Sequence, residues 1–275
     1  MKKIILTLIF IAGLGLFLYP VVSDMLATTA HQAVIKDHKD LIEQTDQELI
    51  AKEKEKVNAH NETLASSDLN FVDPFAEISD NESSGTTSYY DALNLGPIIG
   101  NVRVPSIDVE LPIYHGTTEE VLSKGAGHLE NSSLPSSNAG VHSVITAHRG
   151  LPSAKMFRDL DELSVGDHFY IEVLDETIAY EVEKVEVVLP SETSWINMDH
   201  EENKATLLTC DPYMINTHRM LVTGTQVPYE PGTDEEIPDT SDDSNVMYLI
   251  IIGVALLILV LIIIFIRKRK QGDDE

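Results

Sequence analysis

A single cysteine followed by an arginine is the part of this sequence best suited to covalent chemistry. Cys210 is the only cysteine among 275 residues, and it follows a predicted strand at Lys204 to Thr209. Asp211-Pro212 predicts a turn after the thiol, because proline fixes φ and cannot donate to a sheet. A second strand is predicted to begin at Arg219. A thiol reacts as its thiolate, and a neighbouring cation lowers the thiol pKa, so this arrangement predicts a cysteine nucleophile.

A structural role for Cys210 is the alternative, since a lone cysteine often packs as a small apolar side chain. Two features favour the nucleophile. The thiol lies beside a turn rather than in mid-strand, and the chain carries the export features described below. With one cysteine no intramolecular disulfide can form, so core packing must stabilise the fold.

A cysteine nucleophile needs an acid–base partner, and histidine is the usual one. His148 follows a predicted strand at Ser143 to Ala147 and precedes a Gly-Leu-Pro turn, a position from which catalytic residues often project. His218 is a rival because it adjoins Arg219. Neighbouring side chains of a strand point to opposite faces, so His218 points away if Arg219 points to the site. The same alternation directs Arg149, the rival cation, away from the site.

Three segments together resemble the sortases, the cysteine transpeptidases of Gram-positive cell surfaces. Thr206 to Cys210 matches the T-L-x-T-C pattern, and Asn216 to Arg219 matches N-T-H-R. Thr146 to Pro152 resembles the segment around the catalytic histidine, with Ala147 where glycine is common. The resemblance covers roughly residues 35–266 and implies the family's eight-stranded β-barrel.

The resemblance also implies a role for each residue of the site. Cys210 would attack the substrate carbonyl, and His148 would protonate the leaving amine and deprotonate the incoming nucleophile. Arg219 would hold the substrate or stabilise the oxyanion. Asp211 departs from the pattern, because many relatives carry an uncharged residue there. An acid beside the thiol opposes thiolate formation unless it points to solvent.

A tripeptide ahead of the catalytic region indicates the class C, or pilin-polymerising, branch of the family. Asp73-Pro74-Phe75 by itself predicts only a turn. It matches the Asp-Pro-aromatic lid of class C sortases. The resemblance implies that Asp73 pairs with Arg219, in an ion pair expected to be partly exposed, and that Phe75 covers Cys210.

Two long apolar runs predict membrane segments. Ile4 to Val22 follows Lys2-Lys3 and favours an uncleaved anchor over a cleaved signal peptide, because the small residues after it match the A-x-A pattern poorly. Val246 to Ile266 is an uncharged run followed by the basic stretch Arg267 to Lys270, so it predicts a second span. Basic flanks stay inside, which predicts cytoplasmic termini and an extracellular domain between the spans.

The charge of the chain excludes one class of partner. The formal net charge is −26, and six of the 19 Lys and Arg flank the two apolar runs, so the region between the runs is more acidic still. A polyanion of this kind is repelled by nucleic acid phosphates, so nucleic-acid binding is not expected. No metal-ligand spacing, glycine-rich phosphate loop or nucleotide motif occurs, and we expect no cofactor and no metal.

Between the spans the sequence predicts one mostly β domain. Apolar residues at helical spacing predict an amphipathic helix from Ala33 to about Leu64 that lies on the domain without chemistry of its own. Many short strands with few helices predict an antiparallel barrel. Beyond the strands named above, the pattern predicts two short strands within 96–116, a helical turn at 121–127, a short helix at 157–163 and two paired strands within 167–189.

These patterns divide the chain into seven parts. They are an N-terminal anchor (1–23), an amphipathic helical region (24–69), a lid-bearing segment (70–90), the catalytic barrel (91–229), an acidic linker (230–245), a C-terminal span (246–266) and a cytoplasmic tail (267–275).

The implied activity is transpeptidation at the cell surface. A class C sortase would cleave an LPXTG-like sorting signal through a thioester and join the pilin carboxyl group to a lysine amine of another pilin. The expected partners are therefore pilin subunits. Two alternatives remain: a housekeeping-type sortase that uses peptidoglycan precursor as acceptor, and a non-enzymatic, membrane-tethered binding module with a buried cysteine.

Overall fold

The structure, a computed structural model, describes residues 2–65, 73–75, 86–151, 153–196 and 202–232. Helix α1 (Lys2–Glu43) opens the chain. Among the described residues, its stretch Ile9–Glu43 is the one helix long and apolar enough to cross a membrane. Leu16 and Phe17 are 78% and 77% exposed, as a lipid-facing helix requires. The second predicted span, Val246 to Ile266, lies outside the described residues, as do the predicted cytoplasmic tail and the predicted linker beyond residue 232.

The described residues from 24 to 232 form a compact unit of their own. Within it, the region predicted as one helix from Ala33 to Leu64 is two helices, so the single-helix prediction was wrong. The second helix, α2, runs over Gln47–Ala65. The carbonyl of Asp46, just before it, accepts from the Ile50 N–H (3.1 Å), and Asp is a preferred residue where a helix starts. The spacing of the apolar residues fits one helix or two, because the same side of the helical segment is buried in either case.

Helix α2 packs on the domain through one face. Its buried residues recur at intervals of three and four, as one face of a helix requires; they are Ile50, Glu53, Val57, His60 and Leu64. The carboxylate of Glu53 accepts the backbone N–H of Leu93 at 2.9 Å. Leu93 follows helix α3 (Thr87–Asp91), so this buried hydrogen bond ties α2 to the segment that leads into the barrel.

Eight strands close into a barrel, which confirms the predicted eight-stranded fold. The strands are β1 (Gly100–Val104), β2 (Val109–His115), β3 (Ala126–His128), β4 (His142–Thr146), β5 (His168–Val173), β6 (Glu176–Val188), β7 (Lys204–Asp211) and β8 (His218–Val227). Around the ring they follow the order β1-β2-β3-β4-β7-β8-β6-β5. A short helix, α4 (Glu119–Leu122), lies between β2 and β3.

The sheet is mixed, which corrects the predicted antiparallel barrel. β2 pairs in parallel with β3, and β4 pairs in parallel with β7. A parallel pair needs a crossover connection, which α4 supplies for the first pair and the β5–β6 hairpin for the second. The helical turn predicted at 121–127 is α4 followed by β3, since a three-residue strand is too short to show a period. The helix predicted at 157–163 is a 3-10 turn at Leu160–Glu162.

The barrel wall formed by β4, β7 and β8 is buried on both faces. Leu207 and Val222 belong to the main core inside the barrel. Val144, Leu208 and Leu221 point the other way and form a second apolar cluster on the outer face. A strand with apolar residues on both faces requires cover on both, so something must lie over the outer face here.

We predict that Glu53→Ala lowers the free energy of unfolding by about 1–3 kcal/mol, because the Leu93 N–H is left buried without an acceptor. Glu48→Ala is the matched control, since its side chain is 83% exposed on the same helix. We expect the control to stay within about 0.5 kcal/mol of the parent chain. Denaturant unfolding of the full chain measures both, and equal losses would contradict the role given to Glu53.

Candidate active site

Cys210 and Arg219 lie opposite each other on neighbouring strands. The antiparallel register of β7 and β8 pairs Cys210 with Arg219, and residues paired in this way project from the same face of a sheet. That face is the outer one, shared with Leu208 and Leu221. Cys210 is 5% exposed and Arg219 is 6% exposed, so the pair is covered.

His148 lies on the other side of the thiol. The parallel register of β4 and β7 pairs Thr146 with Leu208. The register continues beyond the strand, because Ala147 donates its N–H to the Leu208 carbonyl (3.2 Å). Thr209 returns a side-chain hydrogen bond to the Ala147 carbonyl (2.7 Å). His148 is therefore level with Cys210, and β4, β7 and β8 bring His148, Cys210 and Arg219 into one row.

The predicted lid tripeptide lies over this row. Asp73 makes a two-pronged ion pair with Arg219, with Nε–Oδ1 at 2.7 Å and Nη2–Oδ2 at 2.5 Å. This fork geometry is the strong form of the arginine–carboxylate contact. The two side chains are 7% and 10% exposed, so the expectation of a partly exposed pair was wrong. The aromatic ring of Phe75 covers the ion pair on the Arg219 side.

The ring of Phe75 bridges the two residues that flank the thiol. Its centroid lies 5.6 Å from that of the His148 ring and 5.3 Å from the Arg219 guanidinium carbon. Phe75 also packs on the outer apolar cluster. The lid thus fills the space above the row of site residues with an aromatic side chain and neutralises the cation with a carboxylate.

The covered thiol of Cys210 is held in its protonated form. Burial, together with the Asp73 carboxylate, raises the pKa of Cys210 to about 11, although Arg219 and Arg149 oppose the rise. A thiol with that pKa carries almost no thiolate at neutral pH, and the thiolate is the nucleophile. The described state is therefore a resting arrangement of the site.

The rival residues lie on the opposite face, as alternation requires. His218 pairs in register with Asp211 rather than with Cys210. Arg149, 6% exposed, forms ion pairs with Asp211 and Asp161. Asp211 points to Arg149 rather than to solvent. Its charge is compensated there, which removes the objection that it opposes ionisation of the thiol.

The cover of the outer face comes from two segments, and only one of them was predicted. Besides the lid, the segment at 189–196 after β6 packs Trp195 and Ile196 on the outer cluster. A small cavity lies between the two covers; its lining includes Pro74, Leu129, Leu208, Trp195 and Arg219. The adjacent apolar residues at 207 and 208 are a sequence signal for this second buried face.

Glu119 is a further polar residue that sequence reasoning missed. Its carboxylate Oε2 lies 3.3 Å from Nε2 of His148. An exposed glutamate on a short helix carries no local signal of such a contact, because the contact depends on how α4 packs on the barrel. Among the described residues, no group of His, Cys, Asp and Glu is arranged to hold a metal ion.

Comparison with known proteins fits this geometry. Residues 102–227 match the sortase domain family. Sortase D of Bacillus subtilis is 32% identical over 140 residues, which cover 48% of this chain and 68% of that protein. This chain belongs to the sortase family. Sortases are cysteine transpeptidases, so the chain is an enzyme of that class, and the non-enzymatic alternative was wrong.

Solved structures of class C sortases are close neighbours of this sortase. Sortase C of Streptococcus pneumoniae is 42% identical with a TM-score of 0.65, covering 72% of this chain and 97% of the other. Sortase C1 of Streptococcus agalactiae is 39% identical with a TM-score of 0.67, covering 74% and 98%. The match therefore extends over nearly the whole of each neighbour, beyond the barrel alone.

We predict that Asp73→Ala combined with Phe75→Ala speeds alkylation of Cys210 about tenfold or more at neutral pH, since each pKa unit removed from the thiol raises the thiolate fraction tenfold. The parent chain should label faster with rising pH up to the pKa of about 11. The variant profile should lie at lower pH. Mass spectrometry of the full chain measures the rate, and Cys210→Ala, which leaves no cysteine, supplies the blank. Equal profiles would show that the tripeptide does not control the thiol.

Proposed function

We propose that this sortase transfers an acyl group through a thioester on Cys210. The thiolate attacks the threonine carbonyl of an LPXTG-like sorting signal and expels the glycine amine, which His148 protonates. Arg219 donates hydrogen bonds to the substrate or to the oxyanion, a contribution of about 3–4 kcal/mol for one well-placed donor. The observation that carries the proposal is the strand register, which sets Cys210 between His148 and Arg219 on one face.

The sorting signal would occupy the space now held by the lid. The cavity beside Pro74 is lined largely by apolar side chains, Leu129, Leu208 and Trp195 among them. Such a lining suits the leucine and proline of the signal. Departure of Asp73 would free the Arg219 guanidinium for the substrate. It would also remove one of the two causes that raise the pKa of Cys210.

The acceptor would be a lysine amine of another pilin, so that the product is an isopeptide-linked polymer. Two observations support this choice over the housekeeping reaction with peptidoglycan precursor. The lid tripeptide contacts Arg219 and His148, and the structural neighbours are class C enzymes, of which the S. pneumoniae sortase C acts on pilin substrates. An acceptor assay with a pilin lysine peptide and with lipid-linked peptidoglycan precursor separates the two reactions.

The enzyme would work on the outer surface of the cell membrane. α1 carries an apolar stretch of membrane-spanning length, and by the positive-inside rule Lys2-Lys3 would put its start in the cytoplasm. The run at 246–266 would be the second span, with the tail at 267–275 inside. The seven-part division of the chain is proposed with the same bounds.

Cys210→Ala and Cys210→Ser should each abolish polymer formation while the barrel still folds. Serine fails because a hydroxyl near neutral pH is a far weaker nucleophile than a thiolate. Pilus ladders on denaturing gels from cells that express each variant measure the outcome, and far-ultraviolet circular dichroism of the purified chains checks the fold. Normal ladders with Cys210→Ala would refute the thioester mechanism.

His148→Ala should reduce transpeptidation about 100- to 10,000-fold, the range for loss of a general acid–base group. His218→Ala is the matched control, because that imidazole lies on the opposite face, beside Thr217. We expect the control to retain most of its activity. The measurement is turnover of a soluble sorting peptide by the lid-open double variant carrying each change. A severe loss with His218→Ala and none with His148→Ala would reverse the assignment.

A further inference from the structure

Glu119 holds a fixed place next to His148. It is the first residue of α4, whose N-cap Thr118 accepts a hydrogen bond from the Val121 N–H (3.4 Å). Leu122, at the other end of this turn, is 1% exposed. The helix is thus anchored by a cap and by a buried leucine, and this sets the 3.3 Å approach of Glu119 to Nε2 of His148.

Glu119 differs from the other acids around the site in having no cation. Asp73 pairs with Arg219 and Asp211 pairs with Arg149. Glu120, the next residue, pairs with Lys124 at 2.7 Å. In the part of the chain that the structure describes, no Lys or Arg side chain contacts Glu119, and its carboxylate is 79% exposed. A carboxylate with this setting is open to a cation that arrives from solvent.

The His148 ring, whose Nε2 faces this carboxylate, lies against the ring of Phe75 at 5.6 Å between centroids. Within the described residues, Nε2 of His148 is buried and makes no hydrogen bond. Nε2 of His148 and the Glu119 carboxylate are 3.3 Å apart, so no group fits between them here. Once Phe75 leaves the imidazole, a group that carries a positive charge and gives up a proton can contact both from the side that Phe75 had covered. A primary ammonium group has both properties, since lysine titrates near ~10.4 in water.

We propose that Glu119 recognises the acceptor amine: its carboxylate binds the ammonium group of the incoming lysine and sets that nitrogen beside His148. This inference rests on the proposed function and adds the residue that selects the acceptor.

The position of α4 on the barrel sets the side from which the acceptor approaches. α4 packs on β3 through Leu122, which lies against Gly127. The order β3-β4-β7-β8 then puts Glu119 on the His148 side of the thiol, whereas Arg219 lies on the other side. The acceptor can therefore approach on one side while Arg219 holds the acyl group on the other.

The transfer step balances with these groups. The bound ammonium first loses one proton to solvent and becomes an amine. Attack on the thioester forms the C–N bond and breaks the C–S bond, whose electron pair leaves on the sulfur of Cys210. The second proton of the nitrogen passes to His148. The products are an amide, a thiolate and an imidazolium, so no further reactant is needed.

The test compares a charged acceptor with an uncharged one. The full chain in detergent, with the lid opened by Asp73→Ala and Phe75→Ala, receives a soluble sorting peptide and either a lysine peptide or hydroxylamine, which is mostly uncharged at neutral pH. Glu119→Gln should reduce the preference for the lysine peptide over hydroxylamine about threefold to fivefold, the size of an exposed ion pair. The loss should appear in KM for the lysine peptide. Glu120→Gln, the same change one residue on, should leave this preference unaltered.

Each outcome of this test has a defined meaning. An equal loss with both acceptors would overturn the inference, because Glu119 would then act on His148 alone. An unchanged preference would overturn it as well. If the lid-open chain with Glu119 intact forms neither the amide nor the hydrolysis product, the proposed function fails, and that failure is visible before any change at Glu119.

Discussion

The register of three neighbouring strands is the constraint on which the site depends. β7 pairs in parallel with β4 on one side and antiparallel with β8 on the other, which fixes Cys210 level with His148 and opposite Arg219. A slip of one residue in either pairing would turn a whole strand over. The barrel is closed, so such a slip would also disturb the core, where Leu207 and Val222 are buried. Core packing and catalytic alignment are thus enforced by the same hydrogen bonds.

The tripeptide at 73–75 covers the site and neutralises its cation. Asp73 holds the guanidinium of Arg219 in a two-pronged pair, and Phe75 covers the space between Arg219 and His148. Burial, together with the same carboxylate, raises the pKa of the thiol. A covered site is therefore unreactive because the space for substrate is filled and because the thiol is protonated. An incoming substrate would have to displace the acid from its arginine, and the same displacement would favour the thiolate.

The apolar cluster on the outer face of the barrel is separate from the main core, so a substrate groove there would not weaken the fold. The main core lies inside the ring, while the outer cluster of Leu208 and Leu221 is covered by the lid and by the segment at 189–196. The described residues of these two covers add no strand to the barrel. Because the hydrogen-bonded ring does not depend on them, their displacement would leave the strand pairing of the barrel intact.

Sequence alone determined the chemistry and much of the orientation. The lone thiol, the motif around His148 and the Asp-Pro-aromatic tripeptide indicated the family, and strand alternation placed His218 and Arg149 on the face away from Cys210. The eight-stranded barrel followed from the resemblance. The site residues and their orientation depend on residue type and on local period, and the resemblance depends on short motifs, all of which a sequence displays directly.

Only the tertiary structure decided which distant residues meet. The parallel pairing of β4 with β7, the partner of Asp211 and the approach of Glu119 to His148 each join segments far apart in the chain. Periodicity repeats within a segment and contains no information about its neighbours. The sequence also did not reveal the break between α1 and α2, because two helices that bury one continuous apolar stripe have the same spacing of apolar residues as a single helix. Strand order and packing supply those contacts, and they arise only when the barrel closes.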